Sequence, residues 1–198
     1  AGLQKVPRYT ATTTDLLGKK FHIVDSCTYL VGVREILVER VYDFGGSSPA
    51  PTIVDCGANI GLSVLFFKER YPDARIIAFE ADRQIFNVLC KNIASFDLRG
   101  VELHHSAVWT ANTEVLFSPE GGASGRIVMP GDQSTVCVPG TRLKDVLKRE
   151  PVDFLKMDIE GAETEVLKDC AEELSRIPSL FVEYHSHFGQ RQTLQELL

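Results

Sequence analysis

Short apolar runs alternate with amphipathic stretches along most of the chain, beginning near residue 51. The runs are rich in Val, Ile, Phe and Leu, which predicts strands that are buried on both faces. These strands are Thr52–Cys56, Arg75–Glu80, Val101–His105, 152–157 and 179–184. The stretches between them predict helices at 61–71, 82–96 and 162–172, the second with Asp82 as its N-cap. This alternation predicts a doubly wound α/β domain with a mainly parallel sheet.

Two segments depart from this rhythm. Residues 113–138 place several glycines and a proline between β-rich pieces, which predicts an antiparallel excursion from the main sheet. Residues 1–50 predict an N-terminal cap with a short strand at 21–24 and a helix at 33–41. A Gly- and Ser-rich linker leads from the cap into the core. We therefore expect a cap on the substrate side, residues 1–50, and a main domain, residues 51–198.

The composition is that of a globular chain of single-domain size. Of the 198 residues, 44% are hydrophobic and 24% are charged, which excludes a disordered or fibrous protein. The formal net charge of −6 argues against nucleic acid as a partner, because a phosphate-binding face needs cations. No apolar run approaches the roughly 18 residues that span a bilayer, and the first residues lack the apolar core of a signal peptide. Five scattered cysteines without a C-x-x-C pair indicate free thiols, so we expect a cytoplasmic protein with no membrane span.

The turn after the first predicted core strand carries the main chemical signal. It contains Asp55, Gly57, Ala58, Asn59 and Gly61 in the pattern D-x-G-x-N-x-G, between a buried strand and a helix. Such a turn lets a ligand approach the backbone and the helix N-terminus. The dinucleotide fingerprint G-x-G-x-x-G is not met, and the aspartate would repel a diphosphate but could accept a hydrogen bond from an ammonium. S-adenosylmethionine (SAM), which has an amino-acid end and no phosphate, fits this turn better than NAD.

Glu80 ends the next predicted strand, where a carboxylate can accept hydrogen bonds from both ribose hydroxyls of a nucleoside. That position would serve SAM and NAD equally. A NAD-dependent oxidoreductase is therefore one alternative, although no Tyr-x-x-x-Lys or similar hydride-transfer set is present. A catalytically silent Rossmann-like binding module is the other alternative.

Five segments, in this order, carry a family resemblance: DCGANIGLS, AFEAD, HHSAVW, FLKMDIEGAE and VEYH. Together they resemble the FkbM family of SAM-dependent methyltransferases over residues 52–185. The resemblance implies the Rossmann-like class I methyltransferase fold, with SAM over the carboxyl ends of the central strands. It also implies O-methylation of a hydroxyl on a sugar, polyketide or related metabolite, so the expected partner is a small-molecule or glycan acceptor with a free hydroxyl. Ser106 and Ala107 would border the adenine, and we expect Asp158 to close the methionine end.

The chain departs from that fold at its C-terminal end. In the class I fold, a helix and an antiparallel hairpin follow the fifth parallel strand and complete the sheet. Here only a helical stretch, 190–198, follows the fifth strand. The closing hairpin is therefore missing from this chain or supplied by a partner. Because an unpaired hydrophobic edge favours aggregation, we expect a truncated C-terminus and not a natural end.

The candidate catalytic residues are Glu160, Glu183 and His185, which follow the fourth and fifth predicted strands. Because parallel strands end at the same edge of a sheet, we expect these side chains and Asp158 to meet in one pocket. An imidazole titrates near pH 6.5, so His185 is our candidate for the base that removes the acceptor's proton. His187 is expected to lie outside the pocket.

Two alternatives remain open for this group of side chains. Lys156 lies within an apolar strand, and its ammonium either pairs with a nearby carboxylate or orients a catalytic one. The carboxylates and the imidazole could also hold Mg²⁺ or Mn²⁺. We favour a catalytic base and predict no metal.

Overall fold

The computed structural model describes residues 2–46, 48–122, 125–128 and 135–185. Its strands are β1 (Thr12–Leu16), β2 (Lys19–Ile23), β3 (Thr52–Cys56), β4 (Arg75–Glu80), β5 (Val101–His105), β6 (Ala107–Trp109), β7 (Glu114–Ser118), β8 (Arg126–Ile127), β9 (Val136–Arg142), β10 (Phe154–Met157) and β11 (Ser179–Val182). Its α-helices are α1 (Ser26–Gly32), α2 (Leu62–Arg70), α3 (Arg83–Ser95), α4 (Leu143–Arg149), α5 (Glu163–Asp169) and α6 (Ala171–Leu174).

The central sheet has five parallel strands in the order β11-β10-β3-β4-β5. The chain builds outward from β3 through β4 to β5 and then returns to the other side of β3 with β10 and β11. Strand order therefore reverses between β3 and β10, and ligands bind outside the carboxyl ends of such strands. The predicted doubly wound α/β fold is confirmed.

Alternating side chains on these strands fill two apolar layers, one on each face of the sheet. Val54, Phe79 and Met157 belong to the layer that packs against α4 and α5. Ile53 and Ile76 belong to the layer that packs against α2 and α3. Burial on both faces explains why the core strands read as continuous apolar runs. The predicted bounds of β3, β4 and β5 are confirmed, whereas β10 and β11 are shorter than predicted.

The core helices lie where the sequence predicted them. Asp82 caps α3 by accepting hydrogen bonds from the backbone N–H groups of Gln84 at 2.8 Å and Ile85 at 3.2 Å. The predicted helix at 162–172 is two shorter helices, α5 and α6, which are separated at Cys170.

The Gly-rich segment after β6 forms the predicted excursion. β7 pairs antiparallel with both β8 and β9, and β6 joins β9 in parallel. A side chain of the core turn contacts this excursion, since Asn59 Nδ2 donates to the carbonyl of Gly122 at 3.1 Å. The excursion therefore lies over the carboxyl edge of the main sheet.

The N-terminal cap differs from the prediction. β1 and β2 form an antiparallel hairpin, of which only the second strand was predicted. The helix begins at Ser26 rather than near 33, because Asp25 caps it through the N–H of Thr28 at 3.3 Å. The stretch 33–38, predicted as part of an ordinary helix, is a π-helical continuation of α1. Phe21 and Tyr29 of the cap pack against α2 and α3 residues.

Some expectations concern residues outside the described ranges. These are the helical stretch at 190–198, the position of His187 and the closing hairpin.

Candidate active site

The turn between β3 and α2 brings two strands of the sheet into close backbone contact. Gly57 has φ of +86°, and a Cβ built on it would lie 1.9 Å from the carbonyl oxygen of Asp158. Gly61 has φ of +94°, and its Cβ would lie 2.8 Å from Leu89 Cδ1. Both positions therefore favour glycine for conformation, and Gly57 also requires it for space, because the atom that its Cβ would meet is backbone. Gly57 lets the turn lie against the segment that follows β10.

Glu80 lies at the end of β4 with its carboxylate held by two backbone groups. Oε2 accepts from the N–H of Asn59 at 3.0 Å, and Oε1 accepts from the N–H of Asp82 at 2.8 Å. Burial raises the pKa of Glu80 to about 7. Each oxygen has further acceptor capacity, so the carboxylate is fixed in place and can still bind a donor.

Two adjoining cavities lie along the carboxyl edge of the sheet. The strand-end cavity, of about 80 Å³, is lined by Gly57, Asn59, Phe79, Glu80, Ala81, Asp82, Ile85, Ser106, Ala107, Val108, Phe117, Gly125, Ile127, Asp158, Ile159 and Glu160. The cap cavity, of about 210 Å³, is lined by Val24, Asp25, Thr28, Tyr29, Val31, Gly32, Glu35, Ile36, Tyr42, Gly57, Ala58, Asn59, Ile60, Leu62, Ser63, Lys156, Asp158, Glu160 and Glu183. The two share Gly57, Asn59, Asp158 and Glu160, so they form the two ends of one cleft.

Lys156 is the buried cation beneath this cleft. It stands directly opposite Asp55 in the parallel pairing of β10 with β3, and its Nζ lies 3.2 Å from Asp55 Oδ1. Nζ also donates to the carbonyl of Gly57 at 2.8 Å and lies 3.7 Å from Asp158 Oδ2. Burial alone would lower the pKa of Lys156, but Asp55 and Asp158 outweigh burial and raise it above its usual range. Lys156 therefore stays charged and links the two turns.

Asp55 has no exposed surface and does not line either cavity. Its Oδ2 accepts from the Ser63 hydroxyl at 2.6 Å, and its other oxygen faces Lys156. The ammonium next to Asp55 is therefore that of Lys156, not that of a ligand as the sequence led us to expect. The interaction instead fixes the start of the Gly-containing turn.

Three carboxylates lie within 4 Å of the imidazole of His185. Nδ1 lies 3.1 Å from Glu163 Oε1, while Nε2 lies 3.5 Å from Glu160 Oε2 and 3.9 Å from Glu183 Oε1. The hydrogen bond to Glu163 raises the pKa of His185 to about 9, well above the 6.5 expected for it. His185 is therefore a cation near neutral pH.

Glu160 lies where the two cavities meet. Its backbone has φ of +56°, an uncommon conformation for a residue other than glycine, of the kind that clusters at functional sites. Burial raises the pKa of Glu160 to about 7, although the nearby His185 opposes this effect. Burial also raises the pKa of Glu183. A carboxylate with a pKa of about 7 is well matched to accepting a proton near neutral pH.

The structure brings most of the predicted site residues to the cleft. Those that line it are Gly57, Ala58, Asn59, Glu80, Ser106, Ala107, Asp158, Glu160 and Glu183. Asp55 and Gly61 do not line either cavity, and His185 lies behind Glu160 rather than in the cavity walls. One residue of the site was not predicted: Glu163, the second glutamate of the D-I-E-G-A-E segment. Glu163 lies three residues after Glu160 and begins a helix, and this position in the sequence could have indicated that it belongs to the site.

A metal could contact three of these side chains. Asp158, Glu183 and His185 each offer one ligand atom within 4.8 Å of the others. Nε2 of His185 faces Glu160 and Glu183, however, and a metal bound there would have to displace the proton that Nε2 carries when the imidazole is charged. The described residues thus balance much of the negative charge of this site themselves.

A doubly wound parallel sheet, with a Gly-containing turn at its switch point and an acid at the end of the neighbouring strand, defines a Rossmann-like domain that can bind a nucleoside cofactor. A family model described as the methyltransferase FkbM domain matches residues 55–198. The chain belongs to the FkbM methyltransferase family, and the predicted family is confirmed. This membership favours methyl transfer over the dehydrogenase alternative.

Two relatives and one solved structure illustrate this membership. Methyltransferase sdnD of Sordaria araneosa is 33% identical over an alignment of 202 positions, gaps included, which covers 83% of this chain and 78% of that protein. The 2-O-methyltransferase NoeI of Sinorhizobium fredii is 26% identical over 157 residues, 69% of this chain and 64% of that protein. The crystal structure of a methyltransferase FkbM from Methylobacillus flagellatus matches with a TM-score of 0.54 at 21% identity. That match covers 74% of this chain but 36% of the other, so the matched part spans about a third of that protein's length.

In the part of the chain that the structure describes, no helix combines the length and apolar character needed to cross a membrane.

Proposed function

We propose that this protein is a SAM-dependent O-methyltransferase. The observation that carries the proposal is the position of Glu160, a carboxylate with a pKa of about 7 at the junction of the two cavities. Methyl transfer to a hydroxyl requires alignment of the nucleophile and removal of its proton. A base tuned to neutral pH at the junction suits that chemistry.

The strand-end cavity fits the nucleoside of SAM. Glu80 would accept the ribose hydroxyls, because its carboxylate is fixed by two backbone N–H groups and has spare acceptor capacity. Ser106 and Ala107 would border the adenine, and Asp158 would lie towards the methionine end. When bound, SAM supplies a methyl group on a sulfonium, an electrophile with a good leaving group.

The cap cavity fits the acceptor. The N-terminal cap, residues 1–50, supplies much of its wall, and Glu160 and Glu183 also line it. An acceptor hydroxyl there would pass its proton to the Glu160 carboxylate. His185, as a cation 3.5 Å from Glu160 Oε2, would hold that carboxylate in place, and Glu183 would orient the acceptor. The acceptor class we propose is a small molecule or glycan with a free hydroxyl, and the name of the relative NoeI, a 2-O-methyltransferase, supports this choice.

Two measurements test the cofactor and the reaction. Isothermal titration calorimetry should detect micromolar binding of SAM and no comparable binding of NAD. A screen of acceptor extracts with radiolabelled SAM should then yield a labelled product. SAM binding without transfer to any acceptor would favour the silent binding module, and no SAM binding would reject the proposed cofactor.

The pH dependence of the rate identifies the base. If Glu160 removes the proton, the rate rises with pH through an apparent pKa of about 7, because the ionised carboxylate is the active form. If His185 does so, the rate rises through about 9 instead. Glu160→Gln should lower kcat by roughly 10²–10⁴-fold with little change in SAM affinity. Glu165→Gln, at an exposed position of α5, is the matched control and should change neither.

A further inference from the structure

Glu163 begins α5, yet its side chain is fully buried behind the cleft. Its carboxylate accepts hydrogen bonds from the backbone N–H of Ile159 at 3.1 Å and from that of Gly161 at 3.0 Å and 3.1 Å. These hydrogen bonds, with that to His185, outweigh the effect of burial and lower the pKa of Glu163, so it stays ionised. A buried carboxylate with this many partners is a fixed point in the site.

Glu163 determines which nitrogen of His185 faces the cleft. An ionised carboxylate can only accept hydrogen bonds, so Nδ1, at 3.1 Å from Glu163 Oε1, carries a proton. This contact orients the ring so that Nε2 lies towards Glu160 and Glu183. The groups that face the imidazole are then Glu163 from α5, Glu160 and Asp158 from the turn after β10, and Glu183 next to β11.

Glu163 also braces the backbone around Glu160. The two N–H groups that it binds belong to the residues immediately before and after Glu160. Glu160 itself has φ of +56° and Gly161 has φ of +105°. A left-handed conformation at a residue other than glycine persists only where the surroundings enforce it. One buried carboxylate thus holds both the candidate base and the imidazole beside it.

We infer that Glu163 is a positioning residue for methyl transfer, acting through the backbone of Glu160 and through the imidazole of His185. It does not line either cavity, so it has no contact with a molecule bound in them. The inference rests on the proposed function for its effect on the rate, whereas its effect on His185 can be measured without any substrate.

The test compares Glu163→Gln with Glu165→Gln. The glutamine keeps an oxygen that can accept from the turn but removes the charge beside Nδ1. In ¹⁵N-edited NMR titrations, with His185→Ala used to assign the ring signals, the pKa of His185 should fall by at least about one unit in Glu163→Gln. It should remain near the wild-type value in Glu165→Gln, because that side chain is exposed.

The kinetic readout separates positioning from binding. In Glu163→Gln, kcat should fall by about 10–100-fold, as expected when a base is misplaced by a fraction of an ångström to an ångström. The affinity for SAM should stay within about twofold of wild type. The pH profile of kcat in Glu163→Gln should also shift, because the charge on His185 influences the ionisation of Glu160.

Several outcomes would overturn the inference. One is an unchanged titration of His185 in Glu163→Gln, and another is an equal loss of kcat in both variants. If thermal unfolding shows that Glu163→Gln is not folded, Glu163→Asp provides the test. Aspartate keeps the negative charge but places it further from Nδ1, so the pKa of His185 should fall by a smaller amount than in Glu163→Gln. Should the protein bind no SAM, the proposed function fails, while the NMR comparison still decides the role of Glu163.

Discussion

Replacing Gly57 with alanine tests the close contact on which the cleft depends. The added Cβ is attached to the backbone of Gly57 and would lie 1.9 Å from a backbone atom, the carbonyl oxygen of Asp158; these two residues follow the paired strands β3 and β10 directly. Neither atom can move aside as a flexible side chain would. The turn must shift, and with it the N–H groups of Gly57 and Ala58 that donate to the Phe79 carbonyl at 3.0 Å and 2.9 Å.

Gly18→Ala provides a control for conformational strain. Gly18 has φ of +77°, close to the +86° of Gly57, but a Cβ there would have no atom within 4 Å. Each substitution should cost about 1–2 kcal/mol for the left-handed conformation. Gly57→Ala adds roughly 1–3 kcal/mol for overpacking. At about 2–4 °C per kcal/mol for a chain of this size, Tm should be about 2–12 °C lower in Gly57→Ala than in Gly18→Ala.

Differential scanning calorimetry measures the two Tm values, and titration calorimetry measures SAM binding. Gly57→Ala should also lose SAM affinity, because the turn that it displaces lines both cavities. Gly18→Ala should bind SAM as wild type does. Equal losses of Tm in the two variants would refute the argument from close contact. So would unchanged SAM affinity in Gly57→Ala.

Three further predictions concern the charged groups of the site. Glu80→Gln should weaken SAM binding by about 1–3 kcal/mol in titration calorimetry, and unchanged affinity would remove Glu80 from the ribose site. Burial raises the pKa of Glu80 from 4.5 to about 7, so the folded state binds this proton more tightly than the unfolded state does. The stability of the fold should therefore decline as the pH rises from about 4.5 to about 7, and Tm should depend less on pH over this range in Glu80→Gln. Lys156→Met should lower the free energy of unfolding by about 3–5 kcal/mol in urea denaturation, since it leaves Asp55 buried and unpaired, and adding Asp55→Asn should recover part of that loss. EDTA should leave methyl transfer largely intact, and a complete loss restored by Mg²⁺ or Mn²⁺ would show that a metal is required.

The sequence predicts the central sheet more accurately than the cap. β3, β4 and β5 are buried on both faces, so their apolar runs have sharp ends that coincide with the strand bounds. β1 reads Thr-Thr-Thr-Asp-Leu and none of its residues is fully buried, so it carries no apolar signal. β1 forms a strand because it pairs with β2, and its own composition does not predict this. The helix start at Ser26 was predictable from the capping residue Asp25. The prediction placed the start near 33 instead because apolar residues, including several valines, follow that position.

The candidate site was predictable as a set of strand ends, but the contacts within it were not. Topology alone places Asp158, Glu160 and Glu183 at one edge of the sheet. The burial of Asp55 depends on which residue of another strand stands opposite it, and the sequence does not give that pairing. The pKa of His185 depends on Glu163, whose side chain turns inward from a helix N-terminus. Such interactions arise from packing between distant segments, so they have no local sequence pattern.

The buried ion pair between Lys156 and Asp55 also bears on how the chain selects its strand register during folding. β10 pairs with β3 although a long segment of the chain separates the two strands, and both strands are apolar enough to pair in several alignments. A slip by one residue would place Lys156 opposite Val54 or Cys56. Asp55 would then stand opposite Met157 or Leu155, respectively, and both charges would be buried without a partner of opposite charge. Each unpaired buried ion costs several kcal/mol, which is a large share of the stability of a typical domain. The pair therefore discriminates against misaligned sheets, and the closely spaced backbones of the cleft form in a single alignment.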